Sequence, residues 1–162
     1  MSRPPVYAAW AGAGDLAAML SLERAAYSHP WSEASLISAV EDPEVDVLVL
    51  RDARGALAAH CIFQVVAGEL HVHNLAVAPG FRRLGLARFV MELVHGLAVR
   101  RRARVAFLEV REGNAPARGL YGAMGYAPIG RRRGYYETPF EDALVLSRRL
   151  GPDAAGMGRP DP

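Results

Sequence analysis

Apolar and polar positions along this chain switch repeatedly between a period of two and a period near 3.6, which cuts it into short alternating elements. Val6 to Trp10 predicts a first strand, broken by Gly12 and Gly14, and Asp15 is placed to cap a helix running to about Ala26. Ser32 predicts the cap of a second short helix, Ala34 to Val40. Val45 to Leu50 and Leu57 to Val66 predict two strands joined by the turn-forming stretch Arg51-Asp52-Ala53-Arg54-Gly55. A strand ending at Val77 follows Gly68. It leads to a helix from about Leu84 to Val99, with Leu86, Phe89, Val90, Leu93 and Leu97 as its apolar stripe, and then to a strand from Val105 to Val110. Asn114 opens a short helix to about Gly122, and Tyr126 to Arg132 and Ala143 to Leu150 supply the last two strands.

Hairpins imply antiparallel neighbours, whereas the strand-helix-strand order implies a right-handed crossover between parallel ones. The expected fold is therefore α/β (α+β), built on a mixed, largely antiparallel central sheet of six to seven strands. A length of 162 residues at 51% hydrophobic composition suits one domain over residues 1–150. Gly151 to Pro162, rich in Gly, Pro and Asp, is expected to be a disordered tail.

Composition removes several chemistries. The single cysteine, Cys61, excludes disulfide scaffolds and multi-cysteine zinc sites, and its apolar setting predicts a buried strand thiol rather than a nucleophile. All 19 basic residues are arginine, so the lysines of phosphate-loop hydrolases and of pyridoxal-phosphate enzymes are absent. A net charge of +2 gives no argument for nucleic acid; Arg100-Arg101-Arg102 reads as a solvated helix end. No apolar run reaches the ~18 residues of a membrane span, and Met-Ser-Arg-Pro-Pro lacks the order of a signal peptide. The expectation is a soluble, cytoplasmic protein with no membrane partner.

The segment Arg82-Arg83-Leu84-Gly85-Leu86-Ala87 lies between a predicted strand and the helix it feeds. A glycine-bearing turn there is an anion cradle, because unpaired backbone N–H groups and the helix dipole both point at the turn. Its spacing, Arg/Gln-x-x-Gly-x-Gly/Ala, resembles the acetyl-CoA pyrophosphate loop of the Gcn5-related N-acetyltransferases. The run from Phe107 to Tyr126, with Leu108-Glu109-Val110-Arg111, Asn114, Leu120-Tyr121 and Gly125-Tyr126, is similar to a second and more specific signature of that superfamily. His29-Pro30-Trp31-Ser32 and Asn74-Leu75-Ala76-Val77 resemble motifs of its protein N-terminal acetyltransferases, so the resemblance covers roughly residues 5 to 150.

Acetyl transfer from a thioester to an amine needs a base for the ammonium proton, donors for the carbonyl oxygen and an acid for the leaving thiolate. The resemblance implies Glu109 as the base, acting through water, and Tyr121 as the acid. It implies cofactor contacts through the backbone of Leu75, Ala76 and Val77, around the pyrophosphate through Arg83, Leu84, Gly85, Leu86, Ala87 and Arg88, and at the pantetheine arm through Asn114. Read from the residues alone, Glu109 is a solvated charge at a strand end, Tyr121 an amphipathic core tyrosine and Asn114 a helix cap. His71 and His73 share a strand face at a spacing that could seat a metal, but no third ligand is evident, and no metal is expected. His73 is left as a neighbour of the catalytic water.

Two further segments bear on the acceptor. Tyr27, His29, Pro30 and Trp31, and Tyr135 and Tyr136 in Arg132 to Glu137, read as loops; in similar proteins such loops wall the groove that admits a protein N-terminus. Their other reading is packing, with Trp31 as a hydrophobic staple. The resemblance points to acetyl-CoA and a protein N-terminus as partners, the latter an N-terminal alanine of a small-subunit ribosomal protein. A small-molecule amine acetyltransferase and an inactive CoA-binding scaffold are the competing readings.

Overall fold

The computed structural model describes residues 2–137 and 139–151, so the expected tail after Gly151 lies outside the described residues. Its strands are β1 (Val6–Trp10), β2 (Asp46–Asp52), β3 (Leu57–Val66), β4 (Glu69–Val77), β5 (Val105–Arg111), β6 (Ala127–Glu137) and β7 (Phe140–Arg149). The helices are α1 (Leu16–Ala26), α2 (Glu33–Glu41), α3 (Leu86–Arg100) and α4 (Ala115–Ala123). Strand order is β1-β2-β3-β4-β5-β7-β6 in one mostly antiparallel sheet of seven strands, the upper end of the expected count.

Local signals fix the helix starts. Ser32 Oγ accepts the N–H of Ser35 at the start of α2, and Asn114 Oδ1 accepts that of Ala117 at the start of α4, where Pro116 stands in the first turn. Asp15 does precede α1, but its side chain turns the other way: Oδ2 accepts the Gly12 N–H and Oδ1 pairs with Arg51. Two segments differ from the sequence reading. In α3 the buried seam is Leu86, Val90, Met91, Val94 and Ala98, while Phe89, Leu93 and Leu97 are half-buried. This helix is apolar over so wide an arc that packing, not pattern, chooses its centre. Arg132 to Glu137, expected as a loop, belongs to β6; the ladder is irregular between Arg132 and Tyr136, where Gly134 takes φ +58°.

Two compact units organise these elements. One comprises the chain up to Gln64 together with Val72–Leu93. Its core is Met19, Leu36, Ala39, Val47, Val49 and Ile62, with Trp31 packed against it from the loop before α2. Burial of each such large side chain contributes roughly 1.5–3 kcal/mol, which holds α1 and α2 to the β2–β3 pair. The other unit comprises Val65–His71 and the chain from Val94 on. There β7 lies between β5 and β6, pairing Glu109 with Val145 and Val145 with Gly130, and Arg111 with Ala143 and Ala143 with Arg132. Among the described residues no helix is long and apolar enough to cross a membrane.

Candidate active site

In the first unit the segment predicted as an anion cradle lies at the start of α3. Arg83 takes φ +60° and Gly85 φ +73°, so the chain turns sharply there. Gly85 O accepts the Phe89 N–H, which leaves the N–H groups of Leu86, Ala87 and Arg88 without partners inside the helix. A Cβ at Gly85 would meet nothing within 4 Å, so space for a ligand's phosphates is open beside the backbone. Leu86 anchors the turn in the core, Leu84 and Ala87 are half-buried, and Arg83 and Arg88 are exposed. The Arg88 guanidinium pairs with Glu92 at 3.1 Å along the helix, so its contribution to the cradle is its amide.

Upstream in the same unit, β4 carries Leu75, Ala76 and Val77. The Tyr27 hydroxyl donates to the Leu75 carbonyl, tying the loop before α2 to this strand. That loop holds Tyr27, His29 and Pro30 exposed and Trp31 half-buried, the last packed on the core. Trp31, Ser35, Ser38, Asp42 and His73 are among the residues that line an open cleft of about 430 Å³. His73 is exposed, whereas His71 bonds Glu69 at 2.8 Å and stacks on Phe107. Among the described residues no group of three His, Cys, Asp or Glu side chains is placed to hold a metal ion.

The second unit holds the proposed base. Glu109 alternates with the buried Leu108 and Val110, which puts its side chain, 27% exposed, on the opposite face of β5. Because β6 is two strands away across β7, the same face receives Arg132, whose Nε meets Glu109 Oε1 at 2.8 Å. The Tyr135 hydroxyl also hydrogen-bonds Glu109, and this bond first, then burial, raises its pKa above the ordinary phenol value; it remains a donor. Burial first and then the Glu109 charge likewise raise Tyr136. Its ring stacks edge-on against Tyr135, at 5.1 Å between centroids, and lies under the Arg111 guanidinium at 3.9 Å. These two tyrosines, expected in a loop, instead follow an irregularity of β6 at Gly134. Asp142 locks it by accepting the Gly134 N–H, and this bond, ahead of the one from Arg131, holds its carboxyl below the usual range.

Tyr121 is 9% exposed on α4. Its ring meets Tyr126 edge-on at 5.8 Å, Tyr126 accepts from His95 Nε2 at 2.6 Å, and Arg148 donates to His95 Nδ1 at 3.0 Å. A donor on Nδ1 leaves Nε2 to carry the hydrogen, so the chain of bonds has a fixed direction. His95 and Arg148 are not singled out by the sequence; the one mark of His95 is a polar residue among the buried apolar ones of α3, and Arg148 of β7 carries none. Cys61 is fully buried in β3, where desolvation pushes its thiol up to about 12.

Residues 16–126 match the model of the acetyltransferase (GNAT) family, and the chain belongs to that family. It is an N-acetyltransferase by fold and by kinship. Among its relatives, the [ribosomal protein bS18]-alanine N-acetyltransferase of Salmonella typhimurium is 35% identical over 135 residues, 82% of this chain and 90% of that protein. The Haemophilus ducreyi enzyme of the same name is 29% identical over 140 residues, 84% of this chain and 94% of that one. The crystal structure of the ribosomal-protein-S18-alanine N-acetyltransferase from Escherichia coli superposes with a TM-score of 0.85 at 30% identity, covering 97% of this chain and all of that one.

Proposed function

We propose that this enzyme transfers the acetyl group of acetyl-CoA to the α-amino group of a protein N-terminus, an N-terminal alanine of a small-subunit ribosomal protein. The grouping of Glu109 with Tyr135 and Tyr136 on one sheet face carries the reading, since it joins a candidate base to aromatic donors suited to a peptide backbone. The names of the relatives support the same acceptor. Such an acceptor is made in the cytoplasm, which is where the enzyme would act.

Acetyl-CoA supplies an activated acyl carbon. The open cradle at Gly85 fits its pyrophosphate, held by the amides of Leu86, Ala87 and Arg88, with Arg83 and Leu84 shaping the turn. Leu75, Ala76 and Val77 offer backbone groups to the pantetheine arm, and Asn114 adds its side chain where it is not engaged as the cap. The α-amino group, with a reference pKa near ~7.7–8.0, yields its proton to Glu109 through water and attacks the thioester carbon. A C–N bond forms, the C–S bond breaks, the Tyr121 hydroxyl protonates the departing thiolate, and the surplus proton of the new amide nitrogen leaves through water to restore the phenol. Transfer is direct, in a ternary complex; the deep burial and high pKa of Cys61 give no support to an acetyl-cysteine intermediate.

The test is mass spectrometry of peptides incubated with enzyme and acetyl-CoA. Acetylation of alanine-starting peptides ahead of lysine side chains, polyamines and amino sugars is expected; preference for a small amine would overturn the acceptor.

A further inference from the structure

Glu23 of α1 is fully buried, one of the few polar side chains in the core. It lies four residues after Met19 and beside Leu22, so it occupies a position on the helix face that an apolar residue would ordinarily fill. Three donors from three separate elements converge on it. His60 Nε2 of β3 bonds Oε1 at 2.8 Å, Asn74 Nδ2 of β4 bonds Oε1 at 2.6 Å, and the backbone N–H of Trp31 bonds Oε2 at 3.1 Å.

Burying a carboxyl group is costly unless both oxygens are satisfied, and an apolar trio would fill this space at lower cost. The arrangement is therefore informative in what it holds. Two donors are rigid sheet residues; the third is the amide of a loop that carries Tyr27, His29, Pro30 and Trp31. That loop joins α1 to α2 and is fixed at both ends, by Tyr27 on the Leu75 carbonyl and by Trp31 on Glu23. Asn74 precedes Leu75 in β4, so one strand receives both attachments.

We infer that Glu23 is a positioning residue for acceptor binding: its carboxyl clamps the Trp31 amide and so holds the Tyr27–Trp31 loop in the shape that admits the acceptor peptide. This rests on the reading of that loop as an acceptor wall. Oε1 serves the sheet, and Oε2 serves the loop. Glu23→Gln keeps the size of the side chain and one accepting oxygen, but it sets an amide N–H₂ against one of the three donors. The loop donor, the only one not held by a sheet, is the one that gives way.

The experiment combines hydrogen exchange with kinetics. In the wild type, the Trp31 amide should be protected despite lying outside any helix or strand, which can be measured whether or not a variant folds. In Glu23→Gln that protection should fall about ten- to a hundredfold, the worth of one hydrogen bond to a charged group, while amides of β3 keep theirs. The KM for an alanine-starting peptide should rise by a similar factor, with kcat and the affinity for acetyl-CoA nearly unchanged. A Trp31 amide that exchanges freely in the wild type overturns the clamp. Faster exchange in Glu23→Gln with an unaltered peptide KM overturns its role in acceptor binding. If the wild type acetylates no peptide, the acceptor reading fails separately, and Trp31 protection still decides the clamp.

Discussion

Glu23 and Glu109 are the same side chain used in opposite ways. The first is wholly buried and has its two oxygens filled by three fixed donors, two from sheet residues and one from a backbone amide. The second is about a quarter exposed and is met by two long or mobile partners, Arg132, itself 58% exposed, and the half-exposed Tyr135. A buried carboxyl group with both oxygens engaged can hold a shape. One held by an exposed guanidinium can release its partner when an acceptor arrives. On the function proposed above, chemistry goes with the more exposed glutamate and architecture with the buried one.

The same substitution separates them most sharply. Glu109→Gln should lower kcat by ~10²–10⁴-fold with acetyl-CoA affinity retained, and the loss should shrink as pH rises and the acceptor amine deprotonates in solution. A wild-type kcat at all pH values would remove Glu109 from the reaction. Tyr121→Phe should cost a comparable factor that high pH does not restore, because high pH supplies no acid for the thiolate; a pH-rescued loss would assign Tyr121 elsewhere. Gly85→Val tests the other unit. A β-branched residue at φ +73° is strained by roughly 1–2 kcal/mol, so calorimetry should find acetyl-CoA bound about tenfold more weakly with the fold intact.

Gly134→Ala should act more gently. Its Cβ would stand 2.5 Å from Phe140 Cζ, but that ring is 79% exposed and can swing away, leaving the φ +58° strain of about 1 kcal/mol. A modest fall in melting temperature and a few-fold rise in peptide KM are expected; an unchanged KM would separate Tyr135 from acceptor binding. The smallest effect belongs to Cys61→Ala, which should retain most of its activity and give intersecting double-reciprocal plots, where parallel lines would point to an acetyl-enzyme.

What the sequence revealed was local. Ser32 and Asn114 act within three residues of themselves, and the cradle at Gly85 needs only a strand, a glycine and a helix in succession. What it concealed was long-range. The partners of Glu23 stand 8, 37 and 51 positions away, and His60 and Asn74 sit in strands whose apolar pattern gives no hint of a shared carboxyl. Arg132 meets Glu109 only because β7 inserts between β5 and β6, and Arg-Arg-Arg-Gly-Tyr-Tyr has the composition of a loop although it continues a strand. Both segments proposed for the acceptor thus depend on tertiary contacts, whereas those proposed for acetyl-CoA are contiguous motifs.

Cys61 adjoins His60 in β3 and is wholly enclosed. A thiol reagent can reach it only when the strand opens, so its labelling rate is an internal clock for opening of the sheet that anchors Glu23. With no second cysteine and no lysine to compete, alkylation at this one sulfur, measured before acetyl-CoA is added, reports the integrity of each variant above that keeps Cys61.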